Sequence, residues 1–193
     1  MTKLNRRQRA FVARLALGVS LLLTSARFAD AQTAVTLPDT TQMTTLSATV
    51  VEQASVTVPG GITFDVNNVS TNTDRPNNSV SVQNIVLTTA TKQLRISLFS
   101  AAPSFTPPVA GTTTWSVGDV SWNDGPGGGP NAWQNATGSA GTLSSSAYTP
   151  VATCDADTTS CSVTGLKFTL AAKSSAKRSG SHTLVVTWKF ESI

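Results

Sequence analysis

Residues 180–193 read GSHTLVVTWKFESI, and the pattern in that stretch decides the fold. His182, Leu184, Val186, Trp188 and Phe190 fall on one face, and Thr183, Val185, Thr187, Lys189 and Glu191 fall on the other. Successive side chains of a strand point to opposite sides of a sheet, so this is a strand with one face turned to a core. It predicts the closing strand of a sandwich, with its apolar face lining the interior or a groove into it.

Working back along the chain, the same chemistry recurs. Residues 161–171 form a strand carrying Val163, Leu166, Phe168 and Leu170, and residues 143–151 form another. Leu94, Ile96 and Leu98 share one face of a third. Trp115 and Val117 differ in parity from Val120 and Trp122, which predicts a turn or bulge at Gly118-Asp119. Residues 45–58 read as a strand or bent pair, closed by Pro59-Gly60-Gly61, and 62–66 (ITFDV) resume with Ile62, Phe64 and Val66 on one face. Asn-rich 67–78 read as a connection, Pro-rich 101–111 as a crossing between sheets, and 123–138 as a flexible Gly-rich loop. Thr and Val, stiff at χ1, suit a pleated surface, and no segment has helical periodicity. The expectation is all-β: an immunoglobulin-like two-sheet antiparallel β-sandwich, built as one domain over 45–193.

The N-terminus reads differently. Lys3, Arg6, Arg7 and Arg9 precede a short apolar run at 15–23, and Ala29-Asp30-Ala31 supplies small residues for cleavage. This predicts a secretory signal peptide over 1–31 and a flexible arm over 32–44. Six of the 14 basic residues and one of the 10 acids lie in 1–31. The mature chain therefore carries eight basic and nine acidic residues, too few cations on any one face for nucleic acid. No later apolar run is long enough for a transmembrane segment. The protein is expected to be secreted: periplasmic, at the cell surface or extracellular. Cys154 and Cys161 are expected to pair in that oxidising setting, a link worth about 2–3 kcal/mol for so short a loop.

The motifs of chemistry are missing. There is no Gly-x-Ser-x-Gly, no His-Glu-x-x-His and no phosphate-cradling loop ahead of a helix. His182 lies on an apolar strand face, where a packed imidazole is the plainer reading than a general base. Asp119 and Asp124 flank Trp122, and Asp155 and Asp157 sit between the cysteines; neither pair carries the ligands or spacing of a glycosidase or calcium loop. No enzyme, cofactor or metal is expected. Trp133, with Asn131 and Gln134 beside it, is the candidate contact for a glycan. Asn68, Asn77 and Asn135 head Asn-x-Ser/Thr acceptor triplets.

Gly180, fourteenth from the end, followed by alternating hydrophobics, resembles the terminal strand of secreted pilin-like subunits, including the spore-coat-U type of the chaperone–usher route. Ser192 stands where that family usually has an aromatic residue. The run His182–Phe190 also resembles the distal motif of WxL-type cell-wall-binding domains, with Trp115-Ser116-Val117 echoing the proximal one. The first resemblance implies assembly by strand donation, with Val35 and Leu37 of the arm 32–43 (QTAVTLPDTTQM) as anchors in a neighbour's groove. The plain alternative is a frayed terminus. The partners expected are other subunits, of the same chain or of the envelope. The alternative function is a glycan- or cell-wall-binding module.

Overall fold

The computed structural model describes residues 34–38, 40–125 and 131–193, so the expected leader 1–31 lies outside the described residues. The chain divides into two units, 1–47 and 48–193. In the first, the described residues form neither strand nor helix, and Val35, Leu37, Met43 and Leu46 are exposed.

The second unit is a β-sandwich, as the alternating sequence predicts. Its strands are β1 (Gln53–Thr57), β2 (Thr73–Val86), β3 (Leu94–Phe99), β4 (Val120–Trp122), β5 (Ala136–Gly138), β6 (Gly141–Thr142), β7 (Thr149–Cys154), β8 (Ser160–Leu170) and β9 (Thr187–Ser192). They form a five-stranded sheet in the order β1-β2-β8-β4-β6 and a four-stranded sheet in the order β5-β7-β3-β9, every pairing antiparallel. Fully buried Val80 and Val82 on β2, Val163 and Leu166 on β8, Ile96 and Leu98 on β3 and Val151 on β7 fill the space between the sheets. Each such side chain stabilises the fold by about 1.5–3 kcal/mol through burial. Residues 101–111 do carry the chain from one sheet to the other, between β3 and β4. A single 3-10 turn at Val117–Asp119 absorbs the change of parity between the two tryptophan pairs.

Cys154 ends β7 and Cys161 is the second residue of β8, so the Cys154–Cys161 disulfide joins the two sheets. Both cysteines are buried, and Asp157 turns the loop between them with a positive φ of 57°.

Several segments depart from the sequence reading. The expected Asn-rich connection is half strand: β2 starts at Thr73 and runs with register shifts around Asn78. Asn77 takes a left-handed φ of 60°, and the buried Asn78 amide donates to the carbonyls of Arg75 (2.8 Å) and Leu166 (3.0 Å). A side-chain amide thus replaces the ladder bonds that the bulge removes. Residues 143–148 form no strand, and the ladder starts at Thr149. The same holds for 45–52, and for two segments on which the site depends.

Candidate functional site

The first of these segments is 61–66. Ile62, Phe64 and Val66 are half-buried against the core and the residues between them are exposed, the alternation of a strand. Yet 61–66 belong to no ladder, and no hydrogen bond of their backbone is present among the described residues. The segment is a strap. One end continues from edge strand β1. Beyond the other end, the Lys173 N–H donates to the Val69 carbonyl (2.5 Å) and the Ala172 N–H donates to the Asn72 side chain (2.9 Å).

The second segment is 181–186. The predicted closing strand forms its ladder only from Thr187 onward, where Thr187 to Ser192 pair with Phe99 to Leu94 of β3. Upstream, Thr183 makes one isolated bridge to Thr106, and Leu184 and Val185 have no backbone hydrogen bond among the described residues. His182, Leu184 and Trp188 are half-buried, whereas Val186, expected on the same face, is exposed at the groove. Phe190 lies in the paired part, packs on the core and does not line the groove described next.

Strap and terminal segment both line a groove of about 960 Å³. Its floor is the sandwich interior itself: Leu98, Phe105, Trp115, Trp122, Phe168 and Leu170 are all reached from it. One end is closed by an aromatic group, with Trp115 edge-on to Phe105 (6.5 Å between centroids) and to His182 (5.1 Å). At that end Lys177 and Arg178 stand exposed on the rim.

Gly180 sets the entry of the terminal segment. Its φ of 128° lies where side chains are strained, and a Cβ there would stand 2.8 Å from Pro108. Both ring nitrogens of His182 are engaged: Nε2 lies 3.1 Å from the Arg178 carbonyl, which can only accept, and Nδ1 lies 2.8 Å from the Thr114 hydroxyl.

The glycan candidates separate. Asn131 and Gln134 are exposed, but Trp133 is only 9% exposed, so the expectation of a surface ring is overturned. The reason is pairing. The Asn131 carbonyl accepts from the Gly165 N–H and Gln134 bridges Ser162, which holds this stretch along β8 and turns the indole inward. Trp133 packs against Gly125 and Gly138, and its Nε1 finds no partner among the described residues. Asp119 is half-buried and accepts from the Ser116 N–H (2.7 Å) and Lys173 Nζ (2.8 Å), whereas Asp124 is exposed. Asp155 and Asp157 are exposed turn residues, and no trio of His, Cys, Asp or Glu able to hold a metal occurs among the described residues. No described helix is long and apolar enough to cross a membrane.

The sequence reading expected a groove at the terminal segment, and the part played by 61–66 as its other wall escaped it. Periodicity reports which way side chains point and carries no information on whether the backbone has a partner. In comparisons with known proteins, no family model, no curated protein and no solved structure matches this chain.

Proposed function

We propose that this protein is a secreted, non-enzymatic structural subunit: an incomplete immunoglobulin-like sandwich that accepts an extended strand from another subunit. One observation carries the reading. Two segments with the side-chain alternation of strands, 61–66 and 184–185, both line a groove with an apolar floor, and neither has a backbone hydrogen bond among the described residues. Backbone N–H and C=O groups are obligatory hydrogen-bonding groups, and water meets the need only while the groove is open. An inserted strand would pair with both walls and cover the exposed interior, the mode known as β-augmentation. The inter-sheet disulfide suits an extracytoplasmic setting.

The occupant we assign is the arm 32–43 of a second copy. It is apolar at Val35, Leu37 and Met43, and Leu37 and Met43 are 83% and 94% exposed. A Thr-rich arm with alternating anchors and a single charge suits a groove with an apolar floor. The test is light scattering on the mature chain, 32–193, with and without 32–43. Ordered oligomers from the full mature chain, lost on deletion with the fold retained, are expected. Unchanged assembly after deletion, or a monomeric full chain, would overturn the reading.

A further inference from the structure

The groove is not electrically neutral at both ends. Of the eight basic residues expected in the mature chain, five are held in ion pairs: Lys92 with Glu52, Arg95 and Lys189 with Glu191, Lys167 with Asp74, and Lys173 with Asp119. Arg75, Lys177 and Arg178 have no ion-pair partner among the described residues, and two of these three stand together on the groove rim beside His182. The arm 32–43 carries a single charge, Asp39, a residue outside the described ones.

Resting on the strand-accepting reading above, we infer that Asp39 of an incoming arm pairs with Lys177 and Arg178, which fixes both the register and the direction of the donated strand. With Asp39 at the rim beside His182, Leu37 lies opposite Leu184 and Val35 opposite Val186. Residues 39, 37 and 35 share one strand face, as do 182, 184 and 186, so the two apolar rows meet within the groove. The arm then runs antiparallel to 182–190. Pro38, which has no N–H, falls between Leu37 and Asp39 and turns its nitrogen away from the terminal segment, leaving the N–H groups of Leu37 and Asp39 to pair there. Apolar anchors alone would tolerate a slip of two residues, because the side-chain period is two. A single charge at one end makes that slip costly.

Charge reversal tests this. Asp39→Lys places a cation against Lys177 and Arg178, and the double variant Lys177→Glu with Arg178→Glu places two anions against Asp39. Each variant alone is expected to assemble roughly tenfold more weakly than wild type at low salt, with the gap narrowing as salt is raised. Mixed in equal amounts, the two variants are expected to assemble almost as well as wild type. Each arm then finds a groove of opposite sign on the other variant. Circular dichroism of each variant separates loss of fold from loss of pairing. Should deletion of 32–43 abolish assembly while both reversals assemble like wild type, the charge pairing is overturned and the strand-accepting reading stands. Should deletion leave assembly unchanged, that reading falls and this inference with it.

Discussion

Gly138 has no room for a methyl group. A Cβ there would stand 1.9 Å from the Asp124 carbonyl oxygen and 2.5 Å from Trp133 Cδ1, and the first of these is backbone that cannot swing aside. Gly138→Ala is expected to cost roughly 3 kcal/mol by overpacking, about 10 °C in Tm for a domain of this size. Gly60→Ala, where nothing stands within 4 Å, serves as the control and should leave thermal unfolding unchanged. Equal melting curves for the two variants would mean that the close packing of the indole against this backbone is wrong. The same residue explains why Trp133 was misread. Its neighbours Asn131, Gln134 and Asn135 are polar, as befits a surface turn, and the indole is buried because a strand residue without a side chain makes space for it.

At the scale of elements, the Glu52 carboxylate gathers separate pieces of chain. Glu52 Oε1 accepts from the Thr88 hydroxyl, the Thr88 N–H (2.9 Å), Lys92 Nζ (2.9 Å) and the Ser192 hydroxyl (3.3 Å). The lead into β1, the β2–β3 turn and the end of β9 thus meet at one acid. These bonds, the Thr88 hydroxyl first and Lys92 next, lower its pKa from the usual 4.5 to about 2. The hydroxyl of Thr169 and then Lys167 lower Asp74, and Lys189 and then Arg95 lower Glu191. A carboxyl depressed on folding stabilises the fold fully above its unfolded pKa, and the contribution fades as pH falls through the folded value. Thermal stability should therefore decline between pH 4.5 and about 2, and Glu52→Gln should show a shallower decline. Parallel pH profiles for the two proteins would refute the contribution. The strands themselves were largely legible in the sequence: Leu94-Ile96-Leu98 and Val163-Leu166-Phe168 announce their buried faces, and the two cysteines their link. Less legible were the limits of pairing. The side chains of 62–66 and 182–185 alternate in burial as those of a strand do, yet their backbones stand outside the ladders. The strand within 73–78 was hidden by Asn77 and Asn78, residues of turns that here build a bulge.

For the whole molecule, an arm that fills a different surface on the next copy makes a head-to-tail contact, and such contacts build open chains unless their rotation happens to close a ring. On the strand-accepting proposal, the product expected is therefore a filament whose subunits each give one strand and receive one. The strap at 61–66 makes that exchange visible in time. Its amides have no backbone acceptor among the described residues, so in the free subunit they should trade hydrogen for deuterium at the rate of an unstructured chain, while the amides of β3 stay closed. Mass spectrometry of exchange across 61–66 should show slow exchange appearing as filaments form, and slow exchange already present in the free mature subunit would contradict the open groove. On the strand-accepting proposal, the strap would thus act as a local clock of maturity, its protection arriving only with the strand that completes the sandwich.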